Sequence, residues 1–249
     1  CSSDLKVGTL GSKYEFFHEW KRLKESDAGS VELETMLRGI CEKKTFLDLL
    51  ENFILYDHSG GRTTKILARN HQYLGVNEAV SAYENRKLKD GRLGVFWHTQ
   101  GSGKSYSMVF LAQKIRRKFA GSPTIVVLTD RDELNRQISD TFENCGLLGK
   151  TKASQFIASS GTDLVKKLQG NPSFVFTLIQ KFNLPKEPPI YPDHDILILS
   201  DEAHRSQYGI FADNMMHLLP TASRIGFTGT PLLADDHITE DRKSTRLNS

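Results

Sequence analysis

The chain has 249 residues, of which 38% are hydrophobic and 25% charged, a composition typical of one globular α/β domain with attached segments. The formal net charge is only +3, from 33 basic and 30 acidic residues, and the last eight residues contain three of the basic ones, so net charge gives no argument for a nucleic-acid partner. The three cysteines lack metal-ligand spacing and no apolar run reaches membrane-spanning length, so we expect a cytoplasmic protein without a membrane partner.

Both ends of the chain have an unusual sequence. The last eight residues, 242–249, are polar, lack periodicity and resemble the translated adapter tails found on metagenomic fragments. The first five residues, 1–5, have the same character. We expect that neither stretch is native, the alternative being a flexible native tail. A longer read of the locus that continues in frame through these residues would contradict this expectation.

Residues 6–65 are predicted to form a small helical segment. Residues 24–30 read as a loop, and the apolar positions of residues 31–56 recur at helical spacing, with a break between two helices. Residues 58–64 are rich in Ser, Gly and Thr and predict a linker, so we place the boundary to a second unit, 66–241, at this point. The segment also contains an aromatic cluster of Tyr14, Phe16, Phe17 and Trp20.

Strands and helices alternate beyond the linker. The predicted strands are 93–97, 124–129, 173–178, 195–200 and 224–228, and the predicted helices are 77–86, one that follows residue 104, 132–144, 162–169 and 210–219. Asp130 and Glu133 are placed to form a capping box for the helix 132–144. The strands are continuous apolar runs, as expected when both faces are covered. The pattern therefore predicts an α/β fold with a parallel sheet and helices on both faces.

The first of these strands leads into a glycine-rich loop, Trp97-His-Thr-Gln-Gly-Ser-Gly-Lys-Ser, and then into a helix. The glycines allow backbone N–H groups to turn towards a phosphate, and the helix N-terminus adds partial positive charge. Lys104 can reach the β- and γ-phosphates, and the Ser105 hydroxyl can bind Mg²⁺. His98 stands where the usual pattern has glycine, a departure found in helicase-type loops; the alternative is a plain Gly/Ser turn. The predicted nucleotide-binding residues are Thr99, Gln100, Gly101, Ser102, Gly103, Lys104 and Ser105.

A later apolar strand delivers the acidic pair Asp201-Glu202 at its carboxyl end. Asp201 can hold the same Mg²⁺ as Ser105, and Glu202 can orient and deprotonate the water that attacks the γ-phosphate, so both are candidate catalytic residues together with Lys104. By itself such a pair is also compatible with the start of a helix. His204 follows, and a lone histidine of this kind is often structural.

Another strand ends in Phe227-Thr-Gly-Thr-Pro, with hydroxyl groups at Thr228 and Thr230. Gly and Pro alone would explain a sharp turn here. Beside the phosphate loop and the acidic pair, however, the two hydroxyls are candidates for a relay between the nucleotide and the rest of the domain.

Together the three motifs resemble the first motor domain of superfamily 2 helicase-like ATPases. The surrounding sequence is more narrowly similar to the restriction subunit of type I restriction–modification enzymes, over about residues 6–234. The stretches that carry this likeness are Trp97 to Ser105, Asp130-Arg-Asp-Glu-Leu-Asn-Arg-Gln, Phe176-Thr-Leu-Ile-Gln-Lys-Phe, Ser200-Asp-Glu-Ala-His-Arg-Ser-Gln-Tyr-Gly and Gly226-Phe-Thr-Gly-Thr-Pro-Leu.

The resemblance implies a RecA-like P-loop NTPase fold and ATP with Mg²⁺ as cofactors. It implies that ATP hydrolysis drives translocation of double-stranded DNA before cleavage, in a complex with methyltransferase and specificity subunits. It also lends roles to single residues: Gln72 would read adenine, although by itself it is a polar amide near a helix start. Further, Arg131, Thr177 and Gln180 would contact the DNA backbone, and His204, Thr228 and Thr230 would couple hydrolysis to DNA movement.

Two parts of such an enzyme are not recognisable in this sequence. Glu42-Lys43-Lys44 lies in a helical pattern without a suitable preceding Asp, so we reject it as a nuclease site. The second motor domain, which supplies arginine fingers, would begin after Pro231, so we expect this chain alone to bind ATP weakly and hydrolyse it poorly. The alternatives are a stand-alone superfamily 2 DNA or RNA helicase and a non-hydrolysing nucleotide-sensing scaffold. The intact Lys104, Asp201 and Glu202 argue against the scaffold.

Overall fold

The computed structural model describes residues 5–97, 101–184, 187–191, 193–201 and 209–229, and the backbone of 246–247. The N-terminal part contains helices α1 (Leu33–Cys41) and α2 (Lys43–Asn52), followed by the antiparallel strands β1 (Ile54–Asp57) and β2 (Thr64–Leu67). The carboxylate of Glu42 accepts a hydrogen bond from the Thr45 backbone N–H at 2.9 Å, which starts α2 directly after α1.

The two predicted N-terminal helices are therefore present, but the β1–β2 hairpin was not predicted. The apolar pattern that looked helical as far as Tyr56 changes to a strand at Ile54, and the Gly-rich stretch that was interpreted as a linker is the hairpin turn. Because β1 and β2 pair Ile54 with Leu67, the hairpin joins residues from both sides of the proposed boundary at 65 and 66. That boundary, and the foreign origin of residues 1–5 and 242–249, remain predictions.

The main sheet is parallel, as predicted. Its strands are β3 (Arg92–Trp97), β4 (Thr124–Thr129), β5 (Phe174–Leu178), β6 (Ile196–Asp201), β7 (Ser223–Thr228) and the two-residue β8 (Arg246–Leu247), in the order β5-β4-β6-β7-β3-β8. The helices are α3 (Asn70–Glu84), α4 (Lys104–Lys118), α5 (Asp132–Asn144), α6 (Ala153–Phe156), α7 (Gly161–Gln169) and α8 (Gly209–Leu218).

The largest boundary error concerns α3, which begins at Asn70 instead of residue 77. Its first turn is polar, and the side-chain oxygen of Gln72 accepts a hydrogen bond from the Arg69 backbone N–H at 2.9 Å. Since α3 is buried on several sides, its apolar residues do not form the single stripe on which the prediction relied.

The predicted capping box of α5 is also wrong. The residue that precedes the helix is Arg131, one position later than expected, and its side chain makes no capping hydrogen bond. Asp130 lies outside the helix, where its backbone carbonyl accepts a hydrogen bond from the Gln180 side chain at 3.0 Å.

Helices cover both faces of the sheet, as predicted, and form two clusters of buried apolar side chains. One face packs against α3, α4 and α5, and the other packs against α7 and α8. Trp20, Leu49 and Phe53 of the N-terminal segment belong to the first cluster, where the ring centroids of Phe53 and Phe110 are 5.7 Å apart. This segment therefore shares a core with the main sheet. Within the described ranges, no helix has the length and apolar character needed to cross a membrane.

Candidate active site

The sheet brings the ends of three motif-bearing strands together. β7 lies between β6 and β3, and the register pairs Trp97 with Thr228 and Asp201 with Phe227. All three strands are parallel, so their carboxyl ends meet at one edge, which is where open α/β sheets bind ligands. The sequence order strand, loop, helix therefore places the glycine-rich loop beside Asp201 and Thr228.

The described part of the loop, residues 101–105, has a backbone conformation that favours phosphate binding. Gly101 (φ 78°) and Gly103 (φ 89°) occupy the left-handed region, which other residues rarely adopt. Gly103 also precedes the first residue of α4, Lys104, so the N–H groups of the first helical turn point towards the loop. A helix N-terminus with turned-in N–H groups attracts anions. Thr99 and Gln100 lie outside the described residues.

Lys104 and Asp201, predicted independently from two motifs, form an ion pair. The Nζ atom of Lys104 lies 2.6 Å from Oδ1 of Asp201, whose side chain is 0% exposed, whereas that of Lys104 is 23% exposed. The half-buried Ser105 follows Lys104 in the first turn of α4. A hydroxyl and a carboxylate are oxygen ligands of the kind Mg²⁺ takes, with nucleotide phosphates and water as the others. The residues present therefore fit a nucleotide-bound Mg²⁺.

Gln72 is buried against the loop. Its Nε2 group donates to the carbonyl of Gly103 at 3.0 Å and to the hydroxyl of Ser107 at 3.1 Å, while its oxygen accepts from the Arg69 backbone. The amide therefore bridges the start of α3 to the start of α4. The neighbouring His71 hydrogen-bonds the backbone of Ser102, and burial lowers the pKa of His71 to about 4.

A cavity of about 470 Å³ adjoins this bridge. His71 lines this cavity and also hydrogen-bonds the loop backbone at Ser102. Its other lining residues include Phe17, His18, Arg22 and Arg69. Its volume is in the range of small-ligand sites. The cavity was not predicted from the sequence, because the aromatic cluster and Arg69 are 49 or more positions apart. The one sequence feature that pointed to it is that Arg69 lies close in sequence to Gln72, the predicted adenine-binding residue.

A family model of the SWI2/SNF2 ATPases matches residues 71–248 of the chain. The chain belongs to the SWI2/SNF2 ATPase family. It is 37% identical, over 95% of its length, to the type I restriction enzyme HindI endonuclease subunit of Haemophilus influenzae, and 31% identical over 95% to the putative MjaIXP endonuclease subunit of Methanocaldococcus jannaschii. The predicted resemblance to restriction subunits is thus confirmed. The chain spans only 25% and 24% of these relatives.

Solved structures support the fold of this SWI2/SNF2 ATPase domain. The UvsW helicase of bacteriophage T4 matches with a TM-score of 0.51 and 19% identity, over 76% of this chain and 60% of that one. A nuclease-deletion mutant of the Type ISP restriction-modification enzyme LlaGI, in complex with a DNA substrate mimic, matches with a TM-score of 0.50 and 17% identity, over 73% of this chain and 20% of that one. The predicted RecA-like fold is confirmed.

The predicted DNA contacts of the SWI2/SNF2 ATPase domain have different surroundings. Arg131 and Gln180 are exposed at the edge where β4 and β5 end, and both contact Asp130: the Arg131 side chain lies 3.6 Å from its carboxylate, and Gln180 bonds its carbonyl. Thr177 is instead fully buried, and its hydroxyl donates to the carbonyl of Leu178 at 3.3 Å. The structure thus brings Arg131 and Gln180 together on the surface and encloses Thr177.

Of the residues expected to couple hydrolysis to movement, Thr228 is buried at the end of β7, next to both β3 and β6. Glu202, His204 and Thr230 lie outside the described residues. Their roles remain predictions.

Proposed function

We propose that the chain is the ATP-binding and ATP-hydrolysing first motor lobe of a type I restriction endonuclease R subunit, in which hydrolysis drives translocation of duplex DNA before cleavage. The observation that carries the proposal is the 2.6 Å ion pair between Lys104 and the buried Asp201, at the N-terminus of α4. The relatives are described as type I restriction enzyme endonuclease subunits. Double-stranded DNA and the methyltransferase and specificity subunits are accordingly the proposed partners.

The phosphate loop binds the triphosphate through backbone N–H groups and through Lys104. The ammonium of Lys104 neutralises charge on the β- and γ-phosphates, as the P-loop lysine does in NTPases of this type. Ser105 and Asp201 would hold Mg²⁺, which when bound neutralises the charge that develops on the phosphates. Burial of Asp201 keeps this carboxylate away from bulk water, where its electrostatic effect would be weaker.

Glu202 is the proposed general base, because it directly follows Asp201 at the tip of β6. It orients the attacking water in line with the γ-phosphate and accepts its proton. His204, Thr228 and Thr230 would pass the change at the γ-phosphate to neighbouring strands. The position of Thr228 beside β3 and β6 supports this role.

The adenine base would bind next to Gln72, at the start of α3. Both N–H groups of the Gln72 amide bond to the protein, but its oxygen accepts one hydrogen bond from Arg69 and has a second lone pair. We propose that this lone pair accepts from the exocyclic amino group of adenine. At the ends of β4 and β5, the exposed Arg131 and Gln180 would contact the DNA backbone, which positions DNA without reading its sequence, and the buried Thr177 would support them from below.

Two substitutions test the nucleotide chemistry. Lys104→Ala should abolish Mg·ATP binding, because it removes the ammonium group that neutralises charge on the β- and γ-phosphates. Glu202→Gln should retain binding but stop hydrolysis, because an amide cannot accept the proton. Equilibrium binding and phosphate release are to be measured on the 249-residue chain. Turnover is expected to be low, because an arginine finger supplied by another domain contributes about 10³–10⁵ in rate.

The matched control for the charge change is Lys118→Ala, on the same helix but at its far end, where Lys118 pairs with Glu84. It should leave ATP binding unchanged. Binding that survives Lys104→Ala would contradict the proposed phosphate site, and normal turnover in Glu202→Gln would refute the general-base assignment.

A further inference from the structure

Tyr106, the residue after Ser105, is hydrogen-bonded to the N-terminal segment. The hydroxyl of Tyr106 donates a hydrogen bond to Oδ2 of Asp57 at 2.5 Å. Tyr106 lies in the first turn of α4, whereas Asp57 is the last residue of β1. The side chain of Asp57, which lies outside the main sheet, thus contacts the helical turn that carries the proposed Mg²⁺ ligand Ser105.

Asp57 is itself held firmly. It is only 6% exposed, and its other oxygen, Oδ1, accepts a hydrogen bond from the Ser59 backbone N–H at 2.8 Å. Burial raises the pKa of Asp57, but the hydrogen bonds from Tyr106 and Ser59 outweigh it and place the pKa below its usual value. The acceptor that Tyr106 meets is therefore a charged carboxylate fixed by the turn of the hairpin. Hydrogen bonds to charged groups are stronger than those between neutral groups.

The hairpin also has contacts that prevent it from moving freely. The backbone N–H of His58 donates to the carbonyl of Asn144 at the end of α5, at 3.1 Å, and the ring centroid of Phe53, directly before β1, lies 5.7 Å from that of Phe110 in α4. Asp57 is consequently a fixed point relative to the sheet, and the Tyr106 hydroxyl is attached to it.

We propose that Tyr106 and Asp57 are positioning residues of the nucleotide site: their hydrogen bond sets the orientation of the first turn of α4, and with it the Ser105 hydroxyl that would bind Mg²⁺. This inference rests on the proposed function. Neither side chain is assigned a contact with ATP.

The test uses Tyr106→Phe, which removes only the hydroxyl, and Tyr56→Phe as a matched control. Tyr56 is 52% exposed and adjacent to Asp57. The affinity of the 249-residue chain for a fluorescent ADP derivative is measured with Mg²⁺ and with EDTA, alongside urea unfolding. For Tyr106→Phe we expect the Mg²⁺-dependent gain in affinity to fall about tenfold, the size of one lost hydrogen bond to a charged group. Affinity in EDTA should change by less than about twofold, because the loop backbone remains intact. Tyr56→Phe should alter neither.

Asp57→Asn keeps an acceptor for the Tyr106 hydroxyl but removes its charge, so its Mg²⁺-dependent affinity should lie between those of the unaltered chain and Tyr106→Phe. Equal weakening with Mg²⁺ and with EDTA in Tyr106→Phe would show that the hydroxyl only supports the fold, and would overturn the inference. Behaviour identical to that of Tyr56→Phe would overturn it as well. If Lys104→Ala abolishes nucleotide binding while Tyr106→Phe has no effect, the positioning role alone fails. If the unaltered chain binds no nucleotide, the proposed function fails and the inference fails with it.

Discussion

Replacing Asp48 by alanine should destabilise the whole domain, although Asp48 lies in the N-terminal segment. The Nζ atom of Lys114, in α4, lies 2.5 and 2.6 Å from the two oxygens of Asp48 and 2.6 Å from Oδ1 of Asn77 in α3. It also lies 4.9 Å from the ring centroid of Phe53. The side chains of Lys114 and Asp48 are 10% and 21% exposed, so the pair is largely removed from water.

The size of the effect follows from this burial. Burial lowers the pKa of Lys114, and the carboxylate of Asp48 opposes that shift, so the ammonium depends on Asp48 to remain charged inside the protein. Removing one member of a buried ion pair typically costs about 3–5 kcal/mol. Because Asp48 is partly exposed, we expect Asp48→Ala to lower the free energy of unfolding by about 3 kcal/mol. Replacing both residues by apolar ones of similar size, as in Asp48→Leu with Lys114→Met, should cost less than Asp48→Ala because no unpaired ammonium remains, although Asn52 and Asn77 lose their hydrogen bonds to Asp48.

Urea unfolding in a Trp97→Phe background, where Trp20 is the remaining tryptophan, is followed by fluorescence and by far-UV circular dichroism to measure this effect. Trp20 is buried in the N-terminal segment, whereas circular dichroism reports mainly on the sheet and its helices, so coincident transitions would show that both unfold together. The control is Glu84→Ala, which breaks the exposed pair with Lys118 and should cost less than about 1 kcal/mol. An Asp48→Ala variant no less stable than this control would refute the reasoning.

Three other variants test the site. Gln72→Ala removes three hydrogen bonds and should lower the free energy of unfolding by about 2–3 kcal/mol and reduce the preference for ATP over GTP; unchanged nucleotide preference in binding titrations would contradict the adenine proposal. Gly75→Ala would place a Cβ atom 2.1 Å from Cε2 of Phe96, so overpacking should outweigh the better helix propensity by about 1–2 kcal/mol; a higher melting temperature would contradict this. His71, whose pKa is about 4 when folded, binds a proton more readily when unfolded, so stability should fall by up to about 3 kcal/mol as the pH drops from 6.5 to 4. In His71→Gln this part of the pH dependence of the unfolding free energy, measured by urea titrations, should disappear. An unchanged slope of unfolding free energy against pH would disprove the assignment of this effect to His71.

The sequence was sufficient to predict the parallel sheet and the motifs at the carboxyl ends of its strands. Each motif follows a continuous apolar strand, and parallel strands end at a common edge, so the phosphate loop and Asp201 were expected near each other; their ion pair through Lys104 was not predicted. The β1–β2 hairpin was missed for a physical reason as well. Short apolar runs fit a helix or a strand equally well, and pairing with β2, not local propensity, decides the outcome at Ile54.

The hydrogen bonds that shape the site could not be predicted from the pattern. Tyr106 and Asp57 are 49 positions apart, and Lys114 and Asp48 are 66 positions apart. No spacing rule connects such residues. Their contacts follow from how α2 and the hairpin pack along α4, which depends on the three-dimensional fit of the aromatic core around Phe53.

We propose that this domain hydrolyses ATP in order to move along duplex DNA. The most direct measurement is the steady-state ATPase rate of the protein encoded by the complete reading frame that contains this chain, with no nucleic acid, duplex DNA, single-stranded DNA or RNA. We predict strong stimulation by duplex DNA, lost in Glu202→Gln. Stimulation by RNA or single strands in place of duplex DNA would indicate a stand-alone helicase, and absence of turnover under all four conditions would contradict the motor and leave a nucleotide-sensing scaffold.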